Sequence, residues 1–231
     1  MSQGTFIVID GTDGSGKGTQ TKKLYERLST EGYPVHLADF PRYGHPAAYS
    51  VERYLRGEYG SLKEVSAKRA ALFYALDRHD ASFELREKLT QGSIVISNRY
   101  VSASKGHQTA KLSDPIERQA FVQWLNEVEY EILGIPKPDL TILLHLPADV
   151  GYELIAKKDD RGYLDGKKRD IHEADPEHLR AAEQAYLEMV REDKAEQWEL
   201  LSCVKDGQLL SIETIHAQLW DMIFPLLPVK S

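Results

Sequence analysis

The chain has 231 residues, 42% hydrophobic and 28% charged, the balance of a globular protein that can bury a sizeable core. Its net charge of −7 argues against a nucleic-acid surface, which needs a basic stripe, yet leaves room for a local basic pocket. One cysteine, Cys203, excludes an intramolecular disulfide and fits a reducing cytoplasm, and neither zinc-ligand spacing, a membrane-length apolar run nor a leader is expected.

Phe6-Ile7-Val8-Ile9-Asp10 reads as a buried β-strand. Gly11-Thr12-Asp13-Gly14-Ser15-Gly16-Lys17-Gly18-Thr19 follows, and then Leu24, Tyr25 and Leu28 at helical spacing. Strand, Gly-rich turn and helix together form a phosphate cradle. The glycines let backbone N–H groups turn inward, and the helix N-terminus adds partial positive charge. Lys17 adds a full one. After the lysine such loops ordinarily carry Ser or Thr, whose hydroxyl holds Mg²⁺. Here Gly18 stands there, with Thr19 next, so phosphate oxygens and water complete the metal's octahedron. The Gly-Lys-Gly-Thr-Gln ending resembles that of adenylate-type nucleoside monophosphate kinases.

Further strands are expected at 35–39, 93–98, 140–146 and 199–202. Asp114, Pro115 and Glu117 start a helix in N-cap, first-turn and capping-box positions. Its apolar face carries Phe121, Val122, Leu125, Val128 and Ile132. A last helix carries Ile212, Ile215, Leu219, Ile223 and Leu227 as one stripe. Strands alternating with helices imply an α/β fold whose parallel sheet is covered on both faces. Ligands then bind at the carboxyl ends of the strands, where residues 10–19, 39–44 and 98–104 meet around one crevice.

Phe40-Pro41-Arg42-Tyr43-Gly44 follows the second strand. Asn98-Arg99-Tyr100-Val101-Ser102-Ala103-Ser104 ends the third and runs to His107-Gln108. Leu72-Phe73-Tyr74-Ala75-Leu76-Asp77-Arg78 lies between them. With the cradle, these segments resemble the thymidylate kinase family from residue 5 to roughly 190. That family pairs an acidic residue in the phosphate loop with a Phe-Pro-x-Arg turn, a Phe-x-x-x-Arg helix and an Asp-Arg-Tyr strand end.

The resemblance implies a three-layer P-loop kinase fold of five parallel strands, forming one domain with a mobile lid at about 157–170. It implies ATP with Mg²⁺, dTMP as acceptor, and a cytoplasmic homodimer. The helix at 114–133 and the one bearing Arg78 are the candidate interface elements. Residues 11–19 would hold the ATP phosphates. Lys17, Arg99 and the lid arginines Arg161 and Arg169 would be catalytic. Arg78 and Arg99 would bind the acceptor phosphate and Asp13 the sugar 3′-hydroxyl. Tyr74, with Phe73 as alternative, would stack on the base. Ser104 and Gln108 would read its edge, and Leu55 would line its pocket. The turn has its Arg one residue early, so either Arg42 or Tyr43 meets the acceptor phosphate. Asn98 replaces the acid that helps hold hydrated Mg²⁺, and no direct protein ligand is assigned to the metal. His107 replaces a Tyr near the sugar. Gly14 stands where some members carry a catalytic Arg, which shifts that task to the lid. Cys203 reads as filler near the adenine pocket, beside the loop at 203–207.

Two other readings remain. One is a related P-loop kinase for another nucleotide or a deoxynucleoside. The other is a nucleotide-binding module without turnover. A GTPase is disfavoured, because Pro136-Lys137-Pro138-Asp139 has Pro at a key guanine-reading position.

Overall fold

Five parallel strands form the centre of the molecule, in the order β2-β3-β1-β4-β5. The structure is a computed structural model that describes residues 4–155 and 175–228. The strands are β1 (Phe6–Gly11), β2 (Val35–Asp39), β3 (Ile94–Asn98), β4 (Leu140–His145) and β5 (Trp198–Ser202). All five lie within two residues of the expected bounds.

β1 is buried throughout, as a strand covered on both faces must be. Its side chains alternate between two cores. Phe6 and Val8 pack with residues of α3 (Ala67–Thr90), α4 (Val101–Thr109), α5 (Pro115–Asn126) and α7 (Pro176–Glu192). Ile7 and Ile9 pack with Leu24 and Leu28 of α1 (Lys17–Thr30) and Ile215, Leu219 and Ile223 of α8 (Ile212–Ile223). Two shorter helices are α2 (Tyr49–Leu55) and α6 (Ala148–Ile155). The chain leaves β1 for β2 on one side and later returns to β4 on the other. This reversal opens a crevice at the carboxyl ends of β1 and β3.

Three expectations need correction. The helix at 114–133 is not one α-helix: α5 ends at Asn126 and a π-helical turn spans Glu127–Ile132. There Leu133 N–H reaches the Val128 carbonyl, five residues back. The wider turn rotates the face. Ile132 ends up 69% exposed, while Glu129 is carried into the interior. In α8, Ile212 is 48% exposed at the first helical position, and Leu227 lies beyond the helix. Pro225 sits in a 3₁₀ turn, Phe224–Leu226, that ends the α-helical spacing. Finally, the segment after β5 is not plain loop. β6 (Val204–Lys205) and β7 (Gln208–Leu209) pair antiparallel around Asp206 and Gly207, whose φ angles of 52° and 75° suit a tight hairpin turn.

α4 and α7 cross closely because Gly106 has no side chain. A Cβ there would lie 2.5 Å from the ring of Tyr186, which is fully buried and donates its hydroxyl to Asp10 Oδ1 at 3.0 Å. The ring cannot yield without breaking that bond. Gly106→Ala is therefore expected to lower unfolding free energy by about 1–3 kcal/mol, the usual cost of overpacking. Urea denaturation should show a lower midpoint at unchanged slope.

Candidate active site

The turn after β1 is fastened to the end of β4. Thr12 Oγ1 donates to the Leu146 carbonyl at 2.7 Å and accepts from Leu146 N–H at 3.1 Å. Gly14 has φ +87°, and a Cβ on it would lie 2.8 Å from the Gly151 carbonyl oxygen in α6. Backbone presses on backbone there, which accounts for the missing side chain. No side chain caps α1 at Gly16, so its first N–H groups face the turn as an anion site. Lys17 Nζ donates to the Gly11 and Thr12 carbonyls at 2.9 Å each and lies 3.6 Å from Asp13 Oδ1.

Arg99 joins this turn to β3. Its Nη2 donates to Asp13 Oδ1, and its Nη1 lies 2.9 Å from His107 Nε2. Arg99 has φ 65°, a region that non-glycine residues rarely occupy. Its N–H donates to the Ile9 carbonyl and its own carbonyl accepts from Ser97 Oγ at 2.6 Å. Such enforced backbone geometry clusters at functional sites. Burial alone would raise the Asp13 carboxyl. Arg99, Lys17 and His107 together hold it well below its usual range. Burial pushes His107 down to about 3 and His178, stacked on it at 5.9 Å, down to about 4.

A cavity of about 480 Å³ opens over these groups, within the usual range for small-molecule sites. Its phosphate end is walled by Asp13, Gly14, Gly16, Lys17, Gly18 and Thr19. Gly11, Thr12 and Ser15 lie outside its walls and support the turn from within. The strand ends contribute Asp39, Asn98 and Arg99. The far end carries Leu55, Tyr74, Arg78, Ser104 and Gln108. Gln108 Oε1 is buried there without a hydrogen-bond partner among the described residues.

Several expected residues sit otherwise. Tyr43 lines the cavity and Arg42 does not. The Arg42 guanidinium is held by Asp77 (Nε to Oδ1, 2.8 Å) and Asp80 (Nη2 to Oδ2, 2.7 Å). Phe73 packs against Tyr54 and Tyr59 and leaves the cavity wall to Tyr74. Arg78 is fully buried against Glu129, with Nε 3.1 Å from both carboxylate oxygens. Its Nη2 also donates to Ser104 Oγ at 3.0 Å. Its charge is thus offset, and it faces the Ser104 side of the cavity. Arg78 lines the cavity as expected, with Glu129 as its fixed partner. Arg161 and Arg169, with the expected lid, lie outside the described residues.

Glu129 escaped sequence reasoning, and Asp39 was placed at the crevice without a role. Asp39 accepts from Asn98 Nδ2 at 2.8 Å, and desolvation at the strand end raises its carboxyl despite that bond. Cys203 is buried, with its Sγ 3.7 Å from the Ser15 carbonyl and its thiol pushed up to about 11, which removes it as a nucleophile. Among the described residues, no His, Cys, Asp and Glu cluster of three or more could hold a metal. Among the described residues, no helix is long and apolar enough to cross a membrane.

The two histidines make stability pH-dependent. Both have folded values below the unfolded value of about 6.5, so the unfolded chain binds protons that the folded chain refuses. Stability is expected to fall as pH drops below about 6.5, by about 2 kcal/mol for each ring at pH 5. Urea midpoints measured from pH 7.5 to 5 check this, and His178→Leu should flatten the slope.

Comparison with known proteins agrees with this geometry. The family model for thymidylate kinase matches residues 9–202, the span from β1 to the end of β5. A thymidylate kinase of Mycobacterium tuberculosis is 32% identical over 194 residues, covering 84% of this chain and 89% of the relative. One from Caulobacter vibrioides is 30% identical, covering 84% and 86%. Among solved structures, a thymidylate kinase from Candida albicans, described as having broad substrate specificity, superposes with a TM-score of 0.71. Its identity is 25%, with 98% of this chain and 93% of that one covered. The match takes in the cradle, the strand end that carries Arg99 and the helix that carries Arg78, and on it the chain belongs to the thymidylate kinase family.

Proposed function

We propose that this chain transfers the γ-phosphoryl group of ATP to dTMP, giving dTDP and ADP. The observation that carries this reading is a single cavity joining a lysine-bearing phosphate cradle to a base-sized end, with Arg99 between them. Phosphoryl transfer needs two anions held in line and their charge offset, with no protein nucleophile. Lys17 and the N–H groups at the start of α1 grip the donor phosphates. Arg99 orients the acceptor phosphate, beside Tyr43. Asp13 keeps Arg99 and Lys17 at one point and accepts from the sugar hydroxyl.

The far end suits thymine. The buried acceptor Gln108 Oε1 complements the ring N–H, and the Arg78 guanidinium complements the 4-oxo group. Cytosine reverses that pattern, with an amino donor where thymine has O4. Tyr74 offers a ring face and Leu55 an apolar surface for the 5-methyl group. The cleft also fits Mg²⁺, which binds through phosphate oxygens, water and few protein groups. Thr19 and the Asp39–Asn98 pair line its phosphate end, and the ion supplies charge neutralisation there when bound with nucleotide.

A coupled ADP-release assay with dTMP, dUMP, dCMP, AMP and thymidine is expected to show the highest kcat/KM for dTMP. Lys17→Ala should lower kcat at least ~100-fold, about 2.7 kcal/mol of transition-state stabilisation. A variant keeping most of its turnover would remove Lys17 from this role.

We also propose a homodimer. Leu72, Leu76 and Phe83 lie exposed along one stripe of α3, and Ile116 is exposed on the adjoining α5. Clustered exposed apolar side chains of this size mark association surfaces. Sedimentation is expected to give a dimer, and Leu76→Arg with Phe83→Arg a folded monomer.

A further inference from the structure

Beneath the phosphate cradle β3 closes with an amide, Asn98, and β2 closes with a carboxylate, Asp39, at the same level. Asp39 and Asn98 are register partners across the β2–β3 pair. Asn98 Nδ2 donates to Asp39 Oδ1 at 2.8 Å, and Asn98 Oδ1 is buried without a partner among the described residues. A Cβ on Gly18 would stand 3.9 Å from that same Nδ2, so the start of α1 adjoins the pair.

Two carboxylates line the cavity among the described residues, Asp13 and Asp39. Asp13 is engaged by Arg99 and Lys17. Asp39 is hydrogen-bonded to a neutral amide. Mg²⁺ in nucleotide sites characteristically takes one carboxylate, directly or through water, with phosphates and waters. We propose that Asp39 is the residue that positions hydrated Mg²⁺ beside the ATP phosphates, with Asn98 orienting its carboxylate. This rests on the phosphoryl-transfer reading above.

The test uses Mn²⁺ as probe, titrated by electron paramagnetic resonance into the full chain with a non-hydrolysable ATP analogue. Asp39→Asn is expected to weaken Mn²⁺ binding about 10- to 100-fold, the usual effect of removing a metal-orienting carboxylate. Analogue binding without metal should be unchanged, and the Mg²⁺ concentration for half-maximal turnover should rise in step. The double variant Asp39→Asn/Asn98→Asp is expected to regain most of the Mn²⁺ affinity. Wild-type Mn²⁺ affinity in Asp39→Asn overturns the proposal, as does equal loss of metal-free analogue binding. A folded double variant that regains nothing overturns the role given to the Asp39–Asn98 pair. Asp39-dependent Mn²⁺ binding in a wild-type chain that leaves dTMP unphosphorylated would support this assignment while sinking the thymidylate reading.

Discussion

The ion pair between Asp13 and Arg99 is the constraint on which the site depends. It ties the turn after β1 to the first residue beyond β3, and it forms because those strands end level, with Ile9 opposite Asn98. Arg99 reaches it only through a left-handed backbone, fixed by bonds to Ile9 and Ser97. Lys17 lies on the other side of the same carboxylate. Donor-side and acceptor-side cations therefore share one anchor, and neither can shift alone. Losing the acid would leave two nearby cations facing one another in a largely buried place, a costly arrangement.

Charge elsewhere is paired off. Arg78 is matched by Glu129, and Arg42 by Asp77 and Asp80. Behind the site, Lys105 is buried between Asp193 and Glu196, and Glu196 also accepts from Tyr130 and Thr141. Breaking one member of such a set costs about 3–5 kcal/mol because its partner stays buried. A chain of net charge −7 can thus bind anions. Its acids hold the structural arginines and lysine in fixed poses, and Lys17 and Arg99 at the phosphate end of the cleft gather around a single carboxylate, Asp13.

The sheet and the cradle were legible because their signals are local. The unbroken apolar run Phe6–Ile9, glycines in the turn and the N-cap at Asp114 each follow from a few adjacent residues. Pairings between distant segments left no such mark. Nothing in the helical spacing of Phe121, Val122, Leu125 and Val128 announces the extra residue of a π turn, so no local mark singles out Glu129 as a buried partner for Arg78. Arg42 and Tyr43 are neighbours in a turn, and only the placement of Asp77 and Asp80 decides which one faces the cleft. Phe73 and Tyr74 both touch Tyr54, but Phe73 packs on to Tyr59 while Tyr74 lines the cleft. The Asp206-Gly207 hairpin did carry a sequence signal, an Asp-Gly pair between short β-prone runs.

The contact between Gly14 and Gly151 limits how this loop can change. A side chain at position 14 would have to adopt a left-handed backbone and displace the carbonyl of Gly151. A Cβ at Gly151 would in turn strike the Asp13 carbonyl at 2.3 Å. The two positions are therefore coupled in mutational space: an arginine-bearing loop cannot be grafted here by one substitution, because α6 must be re-seated with it. Any lineage or design that moves toward such a loop has to pass through a change in the helix first.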